Sequence, residues 1–146
     1  MEASRLMEWV RRYEIADFIV ERRLHAKVKD IMPEELTVEQ FKTLRYLRHN
    51  ERCTASELAD FFCVGKSTIT AVINRLFDKG LINRVPEEKD RRVVQLVLTA
   101  EGMSICVAME ERVQSVLAGI MDQFEEKEAV QFIETLEKLA QAAMKL

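Results

Sequence analysis

Two short apolar runs, residues 81–85 (LINRV) and 93–98 (VVQLVL), stand either side of seven residues, PEEKDRR, and this pairing limits the chain more than any other feature. Short segments rich in Val, Leu and Ile, bounded by a proline and a charged stretch, read as the strands of a β-hairpin with a long polar tip. A two-stranded hairpin is marginal by itself in water and has to be covered. The segment just before it supplies the cover. Ile69, Val72, Ile73, Leu76 and Phe77 fall at i, i+3, i+4, i+7 and i+8, the spacing of one buried helix face. Asp78-Lys79-Gly80 stops that helix, with Gly80 suited to the left-handed C′ position.

Further upstream, Thr54-Ala55-Ser56-Glu57 has the spacing of a capping box and opens a short helix, SELADFF. Cys63-Val64-Gly65 connects it to the next helix, with Gly65 near the N-cap. Two helices joined in this way make a helix-turn-helix, and the hairpin after them completes a winged helix whose tip is the wing. A second box, Thr37-x-x-Gln40, with Leu36 and Phe41 as a hydrophobic staple, starts a helix that runs to about His49.

The ends of the chain are helical. Residues 4–29 carry Leu6, Trp9, Val10, Tyr13, Ala16, Val20, Leu24 and Val28 at spacings of three and four, and Pro33 closes the exit. From Thr99, an N-cap, a helix runs to about Gln123 with Cys106, Met109, Val113, Val116, Leu117, Ile120 and Phe124 on one stripe. At 1.5 Å per residue it is about 37 Å long, more than a small winged helix can bury, and it is expected to project. The last helix, from about Glu126, presents Val130, Ile133, Leu136, Leu139, Ala140 and Ala143. A second copy of the chain is the simplest cover for so much apolar stripe. The expected fold is therefore mainly α with a small β-hairpin wing (α+β). It is a single domain of 146 residues, with a winged helix-turn-helix over about 37–99 flanked by dimerisation helices over about 1–32 and 100–146.

Composition narrows the function. The net charge of −3 disfavours nucleic acid only until its distribution is considered. Residues 65–92 hold seven Lys/Arg against four Asp/Glu, whereas residues 99–146 hold four against nine, so the acidic excess lies at the far end. No apolar run approaches the roughly 18 residues of a membrane span, and MEASRLMEWVRR contains no signal-peptide core, so a cytoplasmic protein without membrane association is expected. Cys53, Cys63 and Cys106 lack CxxC spacing, which disfavours a disulfide framework or a zinc site. They read as small buried hydrophobes.

Gly65-Lys66-Ser67-Thr68 imitates the end of a phosphate-binding loop. That loop needs a glycine five residues before Gly65, where this chain has Asp60 within a predicted helix. Lys66, Ser67 and Thr68 instead open a helix whose free N–H groups and positive end suit a nucleic-acid backbone. The outward positions Ser67, Thr70, Ala71, Asn74 and Arg75 are small hydrogen-bonding residues plus one arginine, unlike the Glu/Lys mixture of a solvated face. Asn pairs bidentately with adenine and Arg with guanine, so Asn74 and Arg75 are candidate readers of the major groove, with Ser67, Thr68 and Thr70 on phosphates or bases. At the wing tip, Arg91 and Arg92 fit a narrow minor groove, and the Asp90 carboxylate can hold a neighbouring guanidinium in place.

The stretch TASELADFFCVGKSTITAVINRLFDKGLINRVPEEKDRRVVQLVLTAEG resembles the core of the MarR family of bacterial transcription regulators. The most specific pieces are Asp90-Arg91-Arg92 followed by Leu96-x-Leu98-Thr99-x-x-Gly102, and the RLFDKGLI segment. The resemblance implies a homodimer built from the terminal helices, with two winged helices on a pseudo-palindromic operator in double-stranded DNA. It also implies repression relieved by a small anionic or phenolic ligand or by thiol oxidation. Gly65 departs from the Ser, Thr or Asp commoner in relatives. Thiol-sensing relatives carry a cysteine in the first helix, and this chain has none there.

Trp9, Arg12 and Tyr13 of the first helix are candidates for an aromatic or anionic effector cleft. No cofactor or metal is expected, since only His25 and His49 could join a histidine-containing metal cluster. No nucleophile–base pair points to an enzyme. Two alternatives stand beside the DNA-binding repressor: a winged helix that binds protein and no DNA, and a regulator that senses redox state through its cysteines.

Overall fold

A computed structural model of the protein describes residues 2–146. Six helices and one hairpin follow one another: α1 Ala3–Ile31, α2 Val38–Asn50, α3 Ala55–Phe62, α4 Lys66–Asp78, β1 Ile82–Pro86, β2 Val94–Leu98, α5 Ala100–Met121 and α6 Glu126–Ala143. The chain forms two compact units, one ending at Glu110 within α5 and one comprising Glu111–Leu146.

In the first unit, α2, α3 and α4 enclose a core of Phe41, Leu44, Leu47, Leu58, Ile69, Ile73 and Leu76, closed by Ile82 and Leu96 of the hairpin. Burying each large apolar side chain is worth about 1.5–3 kcal/mol, and this cluster holds the three helices together. The strands pair antiparallel from Ile82–Leu98 to Pro86–Val94, one residue later than the runs in the sequence suggest at both strand starts. Pro86 is tolerated there because β1 is an edge strand. β2 is the central strand, since Cys53 in the α2–α3 connection bridges Leu96 with reciprocal N–H···O bonds of 3.3 and 2.7 Å.

The caps explain where the helices begin. The Thr37–Gln40 box forms in both directions: Gln40 N–H donates to Thr37 Oγ1 (3.1 Å) and Thr37 N–H donates to Gln40 Oε1 (3.2 Å). Lys79 Nζ also donates to that buried Gln40 oxygen (2.8 Å), tying the start of α2 to the end of α4. At α3 only the threonine half of the expected box forms, Glu57 N–H to Thr54 Oγ1 at 3.1 Å, and the exposed Glu57 carboxylate stays in solvent. Cys63, at the end of α3, adopts φ 54°, ψ 42°, a left-handed conformation that a residue with a Cβ enters at a cost. It is exposed, contrary to the reading of all three cysteines as buried, whereas Cys53 and Cys106 are buried.

The α4 face is narrower than its periodicity suggests. Ile69, Ile73 and Leu76 are buried, Val72 is half-buried, and Phe77 is 41% exposed. Gly80 has φ +73°, as a C′ glycine does. α1 has no buried residue along its 29 positions, and α6 has none among its 18. Among the described residues, no helix is long and apolar enough to cross a membrane.

Candidate nucleic-acid interface

α4 turns its polar side outward. Lys66, Ser67, Thr68, Thr70, Asn74 and Arg75 are all exposed on it. Its N-cap is Gly65 in extended conformation (φ −69°, ψ 155°), which provides no side-chain cap. The first amides of α4 therefore have no side-chain acceptor and point outward at the positive end of a 13-residue helix. Beside the Lys66 ammonium and the Ser67 and Thr68 hydroxyls, they make an anion-binding end suited to phosphate.

The side chains of the face are not equally available. Thr70 donates its hydroxyl proton to the Lys66 carbonyl (2.7 Å), which leaves it an acceptor toward solvent. Asn74 Oδ1 accepts from Arg84 Nη2 (2.5 Å), an interaction absent from the sequence reading. Arg84 lies on β1, and its Cζ sits 4.3 Å from the centroid of the Phe77 ring. The exposure of Phe77 thus has a reason: the ring is the platform on which the Arg84 guanidinium rests. Finding Arg84 from sequence would have required knowing which face of β1 meets α4.

At the wing, Arg92 is held by Asp90 through three contacts: N–H to Oδ1 at 3.1 Å, Nε to Oδ1 at 3.1 Å and Nη2 to Oδ2 at 3.3 Å. The side-chain bond from Arg92, reinforced by its backbone N–H, holds the Asp90 carboxyl below its ordinary value. The Arg92 side chain is 90% exposed, so the clasp orients a guanidinium without hiding it. Arg91 is exposed and forms no ion pair among the described residues. Gln95, buried on β2, donates to Glu87 Oε1 (2.7 Å) and braces the base of the tip.

Trp9, Arg12 and Tyr13 lie on α1, with Trp9 and Tyr13 about half exposed. A separate concavity of about 370 Å³ lies on α2 and α3, where Lys42, Arg45 and His49 surround Tyr46, Phe61 and Phe62. The Tyr46 and Phe61 rings are 4.4 Å apart.

Two helices joined by a short turn, the second packed against a β-hairpin, make a winged helix-turn-helix. The MarR family model matches residues 36–94. The chain is 33% identical over 135 residues to the HTH-type transcriptional repressor MdtR of Bacillus subtilis, covering 85% of each. It superposes on a MarR family protein from Bacillus stearothermophilus with TM-score 0.81 and 26% identity, over 99% of both chains. A mutant MarR from Escherichia coli solved with operator DNA shares the fold at TM-score 0.76 and 24% identity, over 92% of this chain and 97% of that one. The chain belongs to the MarR family and is a DNA-binding transcription regulator.

Proposed function

We propose that the protein is a homodimeric repressor of a pseudo-palindromic operator. In this reading Lys66, Ser67, Thr68, Thr70, Asn74 and Arg75 enter the major groove, and Asp90, Arg91 and Arg92 reach the adjacent minor groove. The chain is one MarR-type domain, with residues 37–99 reading DNA and residues 1–32 and 100–146 joining two copies. Two-fold symmetry then sets the recognition helices about 34 Å apart, one turn of DNA. The observation that carries the reading is the outward face of α4, with its uncapped amides, hydroxyls and Arg75, beside the Asp90–Arg92 clasp. The solved relative with operator DNA supports the same use of the fold.

Release by a small aromatic or anionic effector near Trp9, Arg12 and Tyr13 would act by changing the distance between the two helices. Thiol control has one observation in its favour, the exposure of Cys63 at the turn into α4. The deciding experiment is duplex binding across a salt series. Affinity should fall steeply as salt rises, because each neutralised phosphate releases counterions. Absence of duplex binding even at low salt would favour a protein-binding winged helix instead.

A further inference from the structure

The 2.5 Å bond between Arg84 and Asn74 decides which half of the Asn74 amide is left for DNA. A guanidinium only donates, so the amide oxygen must be the atom that faces Arg84. Asn74 keeps its two Nδ2 hydrogens for an external partner. The guanidinium is itself fixed in place, stacked 4.3 Å from the centroid of Phe77, which lies three residues beyond Asn74 on α4. An asparagine that reads adenine needs both halves of its amide: the oxygen accepts from N6–H and the nitrogen donates to N7. Here Arg84 takes one of the two lone-pair sites of that oxygen and leaves both Nδ2 hydrogens free. Donation by those hydrogens complements the major-groove edge of guanine, where O6 and N7 are adjacent acceptors, while the guanidinium charge beside the oxygen disfavours a second donor such as the N6 amino group of adenine.

We propose that Arg84 is a specificity-determining positioning residue: it holds Asn74 as a donor, so that Asn74 selects guanine rather than adenine in the major groove. This rests on the reading of α4 as the major-groove helix. Arg84 need not touch DNA, since it acts through the orientation of Asn74.

The test is selection of bound duplexes from a random pool with the full-length protein and its variants. Arg84→Met keeps an apolar stem on Phe77 and removes the donor, while Arg84→Lys keeps a donor. Wild type should enrich guanine at one position per half-site, and Asn74→Ala should lose that enrichment at the same position. Arg84→Met should move the preference there toward adenine, on the order of tenfold in the guanine-to-adenine ratio, and Arg84→Lys should retain guanine. An unchanged ratio in folded Arg84→Met, with Asn74→Ala altered, overturns the proposal and leaves the major-groove reading intact. No enrichment and no salt-dependent duplex binding by wild type overturns both. Should Arg84→Met fail to fold, Asn74→Asp decides, because a carboxylate keeps the Arg84 partner but has no donors. Guanine enrichment that survives Asn74→Asp overturns the proposal.

Discussion

Gly102 lies so close to Leu81 that a Cβ on it would come within 2.0 Å of the Leu81 carbonyl oxygen and 2.9 Å of its carbon. The requirement is one of space, since the atoms in the way are backbone and cannot rotate aside. Thr99 fastens the same contact: its N–H donates to Leu81 O (3.1 Å), its hydroxyl donates to Gly80 O (2.7 Å), and Gly102 N–H donates to Thr99 Oγ1 (3.0 Å). The end of the α4 turn and the first turn of α5 are thereby clasped together. Gly102→Ala should destabilise by about 3 kcal/mol, the upper range for overpacking. In urea unfolding this is a lower midpoint with an unchanged slope. A midpoint equal to wild type would show that the close approach is dispensable.

Glu110 is only 3% exposed, and its carboxylate accepts from Arg48 Nη1 and from His49 Nε2, the latter at 2.7 Å. Removing one partner of a buried pair strands the other charge, which typically costs about 3–5 kcal/mol. Because Arg48 is itself 33% exposed, water can reach part of the pair. Arg48→Ala is therefore expected below that range, at about 2 kcal/mol. Arg48→Met, which keeps the stem, should cost nearly as much if the charge matters and much less if packing does. Unfolding of both variants at one salt concentration separates the two.

The Thr37 box was legible because its chemistry is local, three residues apart, and the distant Lys79 that shares the Gln40 oxygen adds to the box without displacing it. The winged helix was legible for the same reason: periodicity, the Gly80 stop and the charged tip are all readable along the chain. Glu110 was not. Counted with the acidic excess of the last helices, it is in fact buried and paired with residues some 60 positions away. Phe77 satisfied the helical spacing yet lies outside the core, because Arg84 on a neighbouring strand provides a partner that exposure to water does not. The partial failure at Thr54 has a similar cause, since a glutamate in solvent gains little by returning to a half-exposed amide.

Burial pushes the Cys53 thiol up to about 12, with the Glu57 carboxylate contributing. An unfolded cysteine titrates near 8.5, so at alkaline pH the folded chain retains a proton that the unfolded chain releases. Because the folded value is the higher one, this contribution is fully present below about pH 8.5 and is lost as pH rises toward 12. Cys53→Ala should lose less stability between pH 8 and pH 10 than wild type, by about 2 kcal/mol, with the lysines and the tyrosines other than Tyr46, which Cys53 itself perturbs, cancelling in the comparison. Equal losses in urea unfolding would refute the assignment. In the native protein at pH 8, a thiol reagent should modify exposed Cys63 first and leave buried Cys53 and Cys106 protected.

At the wing, Arg92 and Asp90 make a testable unit. Arg92→Ala and Arg91→Ala should each weaken binding to all duplexes alike and lower the salt slope by about one. Asp90→Asn removes the carboxylate that orients Arg92 and should weaken binding less than Arg92→Ala does. The carboxyl of Asp90 is held below its ordinary value, so the clasp persists above the unfolded carboxylate value and loosens only as pH falls through the lower folded one. The difference between wild type and Asp90→Asn should accordingly be constant from pH 8 to pH 5. A difference that collapses near pH 6 would mean that another group controls the wing.

The proposed dimer follows from helices that the single chain leaves uncovered. On α1, Trp9, Tyr13, Phe18 and Ile19 are each about half exposed, and α6 likewise presents Val130, Ile133 and Leu136. Isolated exposed apolar residues are ordinary, but rows of them at helical spacing along whole helices are not. If a second copy covers these rows, Ile133→Asp with Leu136→Asp places two carboxylates where apolar contact is needed. The double variant should sediment as a monomer at micromolar concentration while wild type sediments as a dimer. Operator affinity should fall by at least tenfold, because two half-sites bound independently lose the advantage of linkage. Binding to a single half-site should change little, which separates loss of pairing from loss of the reading surface. A wild-type protein that is monomeric at those concentrations would instead require another cover for α1 and α6, and the two-fold operator would lose its basis.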